Sequence, residues 1–220
     1  MSHSLRRSDC LTLIGPGQTT YRGGDQEWYP DVWQRRAGCG PTCAAALLSY
    51  LGHTRPALAP LRPLAGQTRT GFLQYMKDLW TYVTPGSRGL DKPESLLVGC
   101  RSFALSKGCR LTGEILKIPA RPEGRPTLAH CRDFLARALD ADCPTAFLNY
   151  SNGALQNLDS WHWVPLISMT RGEELPEADP VLLCSILDGG EEKLIDLALW
   201  LATTTLGGAL VSLAPAAPER

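Results

Sequence analysis

Cys39 lies in the stretch of this chain where residue types and spacing most clearly indicate chemistry. From Gln34 to Pro41 two glycines flank the cysteine, a composition that predicts a tight turn. Three alanines and three leucines follow, and they predict a helix that begins at Pro41 and ends at Gly52. Cys39 would then lie at a helix N-terminus, where unpaired N–H groups and the helix dipole favour the thiolate, the nucleophilic form of cysteine.

A nucleophilic thiol needs a base, and the chain has four histidines to supply one. We expect His3 in an unstructured terminus and His130 in a separate helix. His53 follows the far end of the cysteine helix, about 20 Å from its start at about 1.5 Å per residue. His162 lies in residues 159–169, where a polar loop runs into an apolar strand pattern. It is the predicted partner of the cysteine.

Two further residues could complete such a site. A second apolar run, residues 181–187, ends in Asp188 and Gly189. Asp188 could orient the imidazole, or it could only form the turn that follows the strand. Gln34 stands five residues before Cys39, and its side-chain N–H could stabilise an oxyanion formed beside the sulfur.

Taken in this order, the residues resemble the papain-like cysteine peptidase superfamily, and most closely its bacterial C39-like branch. The matching segments are residues 34–42, 161–164 and 188–189. The resemblance implies that Cys39 is the nucleophile, His162 the base, Asp188 the orienting residue and Gln34 the oxyanion donor. Phytochelatin synthases are similar in the order of Cys, His and Asp. Residues 54–140 have no matching segment.

The resemblance implies a hydrolase that acts on an amide, peptide or thioester bond through an acyl-enzyme, with a peptide-like substrate and no cofactor. An acyltransferase or transpeptidase with the same residues, and a catalytically inactive binding module, remain alternatives. We expect Gly38, Gly40, Trp33 and Trp161 to contribute to substrate binding. The tryptophans could instead only cover the edge of the core or pack on the sheet.

Cys43 follows Cys39 by one helical turn and would face the same way. It could be a small buried residue or a thiol that traps oxidised Cys39. A metal site formed by Cys39, Cys43 and His162 lacks a convincing fourth ligand, so no metal is expected.

Composition narrows the class of protein. The 220 residues include 22 basic and 22 acidic ones, so no charge excess indicates a nucleic-acid partner. No run of residues has the length and apolarity of a signal peptide or a membrane span, and we expect a cytoplasmic protein that does not bind membranes. Its eight cysteines are expected to be buried free thiols. The sequence leaves the oligomeric state open.

The predicted fold is α+β, with an N-terminal helical part that opens with the cysteine helix and packs on a C-terminal antiparallel sheet carrying His162 and Asp188. We expect one domain over residues 1–220, a helical insertion or cleft-forming region over 54–125, and a disordered tail over 214–220. Residues 171–180 are predicted to form a hairpin loop. Pro165 interrupts the histidine strand, which fits an edge strand or a bulge.

Overall fold

The computed structural model describes residues 2–172 and 181–217 of the chain. These residues form an α+β fold, as predicted, in which helices pack on an antiparallel sheet of seven strands. Within the described residues, no helix is both long and apolar enough to cross a membrane. The helices are α1 (Val32–Ala37), α2 (Cys39–Thr54), α3 (Arg69–Trp80), α4 (Pro93–Ser106), α5 (Leu128–Asp140) and α6 (Leu197–Thr203). The strands are β1 (Ser2–Ser4), β2 (Thr12–Ile14), β3 (Thr20–Arg22), β4 (Leu111–Ile118), β5 (Thr145–Asn149), β6 (His162–Arg171), β7 (Leu182–Asp188), β8 (Glu191–Asp196) and β9 (Gly208–Pro215).

The large sheet has the order β4-β9-β5-β6-β7-β8, and β1 also pairs with β6. Strands β2 and β3 form a separate hairpin. Strand β6 is therefore interior to the sheet, with β5 opposite its first half and β1 opposite its second half. The sheet brings the start of β6, where His162 lies, close to the end of β7, where Asp188 lies.

Helix α2 is the centre of the fold, and every residue from Cys43 to Gly52 is buried. A helix that is apolar on all sides must be enclosed by other elements. Two local predictions are wrong here. Gln34 lies in α1, whose first turn is capped by Asp31, so the region before Cys39 is helical rather than a tight turn. Helix α2 also begins at Cys39 rather than Pro41 and continues past Gly52.

Pro165 lies where the pairing of β6 and β7 changes. Strand β6 pairs with β7 only from Leu166 onward, and the register shifts between Leu166 and Ser168. Proline has no N–H to donate, so it fits the point where the ladder to β7 stops. The sequence predicted either an edge strand or a bulge at Pro165. The structure has an irregularity in the pairing, because β6 is not an edge strand. Pro165 and Leu187 then line an opening between the two strands.

The chain ends differ from the expectations. His3 lies in β1, paired with Met169 of β6, and not in an unstructured terminus. Strand β9 continues to Pro215, so the first two residues of the predicted disordered tail pair with β4. Residues 218–220 lie outside the described residues, as does most of the hairpin loop predicted over 171–180.

Region 54–125 supplies helices α3 and α4, but it also contains β4, which lies at the edge of the sheet.

Polar caps set several helix starts. Thr127 accepts a hydrogen bond from the His130 N–H at the start of α5, and Asp196 accepts bonds from the first turn of α6. Helix α3 is capped by Thr68, whose side chain accepts a bond from the Gly71 N–H.

Candidate functional site

His162 and Asp188 form a hydrogen bond across the opening between β6 and β7. His162 Nε2 lies 2.7 Å from Asp188 Oδ1, and the two side chains are only 12% and 14% exposed. This bond occupies Nε2, and the other ring nitrogen, Nδ1, is left to face away from Asp188. The strand placements that produce this geometry were both predicted from the sequence, and the contact itself required the sheet.

The Cys39 thiol is the second partner of the His162 ring. The two side chains are hydrogen-bonded, and Cys39 is mostly buried at the first residue of α2. Cys39, His162 and Asp188 line one cavity of about 200 Å³, here named the histidine cavity. Gln26, Asp159 and Lys193 also line it. Cys39 therefore meets His162 and Asp188, which lie more than a hundred positions after it in the sequence.

His162 and Asp188 each stabilise the charged form of the other. Burial acts to lower the pKa of His162, but the hydrogen bonds and charges of Asp188 and Cys39 outweigh it and raise that pKa to about 10. Burial acts to raise the pKa of Asp188, but the His162 hydrogen bond and charge, followed by Lys193, lower it to about 2. The imidazole is therefore held as imidazolium beside an ionised carboxylate at neutral pH.

Lys193 belongs to the candidate site, although the sequence analysis did not predict it. Its Nζ lies 2.8 Å from Asp188 Oδ2, so the two oxygens of that carboxylate bind His162 and Lys193. Lys193 lies on β8, which pairs with β7 and places the ammonium five residues after the aspartate. A lysine after a Gly-Gly turn carries no distinctive sequence signal, so only the hairpin identifies it.

Gln26, and not the predicted Gln34, contributes a side-chain amide to the histidine cavity. Within the described residues, Gln34 lines neither cavity that includes Cys39. Gln26 lines the histidine cavity, and its side-chain oxygen is buried without a hydrogen-bond partner among the described residues. A buried amide atom with no partner is rare in folded proteins and needs an explanation. The structure thus offers a side-chain amide to this cavity from thirteen residues before the cysteine, not from five.

The segment that carries Gln26 is fixed from both ends. Gly24 lies so close to α3 that an added Cβ would be 2.7 Å from the Phe72 ring. The Asp25 carboxylate accepts a hydrogen bond from the Glu27 N–H at 2.8 Å, which caps the short 3-10 helix over Gln26–Trp28. Trp28 is buried, and its ring meets Tyr21 edge-on at 5.1 Å. The glycines and the aromatic residues at this position are the sequence signal that could have indicated Gln26.

A second cavity, of about 190 Å³, opens on the other side of Cys39 and is here named the tryptophan cavity. Trp33 and Trp161, both predicted to bind substrate, line it. They are 43% and 53% exposed, so neither is a core residue. Cys39 is the one residue that lines both cavities among those described. The remaining lining residues include Arg36, Arg88, Leu90, Asp91, Leu148 and Tyr150.

Gly38 and Gly40 have packing roles in the structure. An added Cβ on Gly38 would be 2.7 Å from the Tyr29 ring, and one on Gly40 would be 2.6 Å from Leu90. Neither glycine is among the described residues that line the two cavities. The glycines let α2 pack closely against its neighbours, and their part in substrate binding stays a prediction.

The remaining cysteines and histidines lie apart from this chemistry. All eight cysteines are buried free thiols, as expected. Cys43 lines the histidine cavity, but complete burial, with the charges of Cys100 and Cys39, raises its pKa well above the ordinary value, which favours a packing role. His53 contacts the Ser49 carbonyl at 2.8 Å, and His3 contacts Asp140 at 2.7 Å. In the described parts of the chain, no cluster of three or more His, Cys, Asp and Glu could hold a metal ion.

What this arrangement offers chemically is a cysteine and a histidine that share one transferable proton, a doubly bound carboxylate, and a glutamine side chain whose oxygen has no partner among the described residues. Comparison of the chain with models of known protein families, and with curated proteins, finds no match.

Proposed function

We propose that this protein is a thiol-dependent hydrolase of papain-like, C39-like character that cleaves an amide, peptide or thioester bond. Cys39 is the nucleophile, His162 the proton carrier and Asp188 the residue that orients the imidazole. The single observation that carries the proposal is the His162 ring, hydrogen-bonded to Asp188 on one side and to Cys39 on the other. A nucleophile, a base and an orienting group in this sequence of contacts are what covalent catalysis by cysteine requires.

The proton of the Cys39 thiol resides on His162, and in the first chemical step the thiolate Sγ forms a bond to the carbonyl carbon of the substrate. The electron pair of the carbonyl moves to its oxygen, which becomes an oxyanion. We assign Gln26, in place of Gln34, as the side-chain donor to this oxyanion, since its side chain lines the histidine cavity and its buried oxygen has no partner among the described residues, so a half-turn of the amide group places the Nε2 N–H toward the oxyanion. The backbone N–H of Cys39 belongs to the first turn of α2, where N–H groups have no partner within the helix, and it can be the second donor.

Collapse of the oxyanion breaks the bond to the leaving group and yields an acyl-enzyme on Cys39. The His162 imidazolium transfers its proton to the departing amine or thiolate and becomes neutral. Neutral His162 then takes a proton from water, whose oxygen attacks the acyl carbon. The bond between the acyl carbon and Cys39 Sγ then breaks, and the products are a carboxylic acid and the thiolate of Cys39 beside protonated His162. If an amine attacks in place of water, the same site performs acyl transfer.

The test is the selective reactivity of Cys39. Wild-type protein is alkylated with iodoacetamide at pH 7, and the labelled cysteines are identified by peptide mass spectrometry over time. Cys39 should react about tenfold faster or more than the other seven, because His162 is hydrogen-bonded to its sulfur, whereas burial raises the pKa of each of the other seven thiols. A panel of peptide amides, isopeptides and thioesters then screens for turnover, which Cys39→Ser should abolish.

Two histidine variants give a matched comparison. His162→Ala should lower both alkylation of Cys39 and turnover, the latter by about 10²–10⁴-fold. His53→Ala removes an imidazole from the other end of α2 and should change neither. If Cys39 reacts no faster than the thiols of the unfolded chain, the protein is not a thiol hydrolase. Unselective reactivity of that kind, with peptide binding retained, would favour the catalytically inactive binding module.

A further inference from the structure

We propose, on the basis of the thiol-hydrolase function above, that the tryptophan cavity binds the acyl part of the substrate and selects a planar apolar group that carries a carboxylate. This names a substrate class that the catalytic residues alone do not define. The cavity holds about the volume of six water molecules, at about 30 Å³ each, which is enough for one side chain or a small aromatic acid.

The walls of the cavity are aromatic, and they are held in place. The Tyr150 and Trp161 rings contact each other with centroids 5.2 Å apart, and Tyr150 OH donates a hydrogen bond of 2.6 Å to the Asp91 carbonyl. Buried Trp163, next to His162, donates from Nε1 to the Leu90 carbonyl at 2.7 Å. These bonds fix the cavity to the histidine strand, so a bound group has a defined position relative to Cys39.

The charged side chains that line the tryptophan cavity are two arginines and one aspartate, so its net charge is positive. Arg88 forms an ion pair of 2.9 Å with Asp91. The Arg36 side chain is exposed, and within the described residues its guanidinium forms no hydrogen bond or ion pair. One positive charge therefore remains available for a ligand. The histidine cavity is the opposite, since Asp25, Glu27 and Asp159 join its lining. Cys39 separates a cationic side of the cleft from an acidic side.

The backbone of Trp161 supports a binding role for its ring. Trp161 has φ of +57°, a left-handed conformation that bulky residues rarely adopt. Such strain costs about 1–3 kcal/mol and tends to persist at functional sites. Burial of the side chain does not offset this strain, because the side chain is 53% exposed. An exposed aromatic ring held at a strained position beside the nucleophile is best explained by contact with a substrate.

The direction of proton transfer assigns the two cavities to the two parts of the substrate. His162 must donate its proton to the leaving group, and His162 lines the histidine cavity. Since the leaving group occupies that side, the acyl part extends across Cys39 to the tryptophan cavity. An anionic acyl group then meets Arg36, and a cationic or neutral leaving group meets the acidic side.

The test compares rates of Cys39 alkylation by bromoacetamide, its N-phenyl derivative, and the 4-carboxyphenyl and 4-(aminomethyl)phenyl derivatives. Each rate is divided by the bromoacetamide rate of the same variant, so a general change in Cys39 reactivity cancels. At low salt the carboxyphenyl probe should react about two- to fivefold faster than the aminomethyl probe, and 0.5 M salt should reduce the difference. Arg36→Gln should remove the preference. Arg101→Gln on α4 loses the same charge but lies outside both cavities, and it should retain the preference.

Trp161→Gly separates binding from folding. Glycine adopts positive φ without strain, so thermal stability should be unchanged or slightly higher, while the advantage of the phenyl probe over bromoacetamide is lost. A charge preference that is equal in wild type and Arg36→Gln, or a preference for the cationic probe, overturns the inference. So does a phenyl advantage that survives in Trp161→Gly. If bromoacetamide itself reacts no faster with Cys39 than with the unfolded chain, the proposed hydrolase fails first, and the inference fails with it.

Discussion

At the scale of single residues, two glutamines differ in what surrounds them. Gln26 has a buried side-chain oxygen without a partner in the histidine cavity, whereas Gln34 is half-buried on α1 and lines neither cavity among the described residues. A preorganised amide in a small cavity stabilises a developing oxyanion far better than one that water also reaches. The two residues therefore make a matched pair for mutagenesis.

We expect Gln26→Ala to lower kcat for an amide substrate by about 10²–10³-fold, the usual effect of losing one oxyanion donor. Alkylation by iodoacetamide forms no oxyanion, so its rate should fall much less. Gln34→Ala should leave kcat within about twofold of wild type, because a half-buried surface side chain is replaced. The assignment is reversed if Gln34→Ala is the variant with the larger loss of kcat.

Lys193 and His162 together set the charge state of Asp188. The lowered pKa of Asp188, about 2 against an ordinary value of 3.8, means that its contribution to stability is present above pH 4 and is lost as the pH falls toward 2. The raised pKa of His162, about 10 against 6.5, means that its contribution is present below pH 6.5 and is lost as the pH rises toward 10. The pair is at full strength between about pH 4 and 6.5.

Lys193→Met should reduce the free energy of unfolding by about 1 kcal/mol at pH 5, since one charged hydrogen bond of a partly exposed lysine is lost. The difference from wild type should shrink as the pH is lowered from about 4 toward 2, because Asp188 no longer pairs with either cation once it is protonated. Urea unfolding at several pH values measures it, with Lys193→Arg as the variant that keeps the charge. A difference independent of pH would contradict this role of Lys193.

At the scale of elements, α2 determines how closely the connection after it can pack. Gly52 lies inside the helix, and a Cβ there would be 2.8 Å from the Arg62 nitrogen and 2.9 Å from the Leu61 carbonyl carbon. Arg62 also donates a hydrogen bond of 2.8 Å to the Gly52 carbonyl. The glycine therefore permits close approach of two backbones, and it does not end the helix.

Gly52→Ala should destabilise the protein by about 1–2 kcal/mol in spite of the better helix propensity of alanine, which is worth about 1 kcal/mol. The backbone that the methyl group would meet cannot rotate away, as a side chain could. Ser102→Ala at an exposed position of α4 should stay within about 0.5 kcal/mol of wild type. Thermal unfolding compares the two variants. A more stable Gly52→Ala protein would show that the connection can shift.

At the scale of the whole molecule, Asp142 joins three distant parts of the chain. Its carboxylate accepts hydrogen bonds from the Tyr50 hydroxyl of α2, from the Arg6 N–H at 2.9 Å and from Arg55 at 3.1 Å. Burial acts to raise the pKa of Asp142, but these bonds outweigh it and lower that pKa. The N-terminal segment, the central helix and the turn before β5 are thus held by one ionised group.

Asp142→Asn should lower the free energy of unfolding by about 2 kcal/mol, because hydrogen bonds to a charged group are weakened and Arg55 loses its counterion. Asparagine tolerates the positive φ of 55° at this position, so the variant tests the charge and not the backbone. Asp140→Asn alters an exposed carboxylate two residues away and should have a much smaller effect. Denaturant unfolding with equal losses in the two variants would refute the structural role of Asp142.

The sequence alone predicted the elements on which the candidate site rests. Apolar runs indicated β6 and β7, with His162 near the start of the first strand and Asp188 at the end of the second. The Gly-Cys-Gly-Pro stretch indicated a cysteine at a helix N-terminus. These are local properties, because propensity, capping and periodicity depend on residues within a few positions of each other.

Only the tertiary structure decided which side chains meet. Gln26 replaces Gln34 in the histidine cavity because Gly24 packs on α3, and Lys193 reaches Asp188 because β7 and β8 pair in one particular register. The opening between β6 and β7 at Pro165, and the two cavities that it and α2 create on either side of Cys39, are likewise products of sheet pairing. Contacts between residues far apart in the chain depend on packing and register, and no local pattern specifies them.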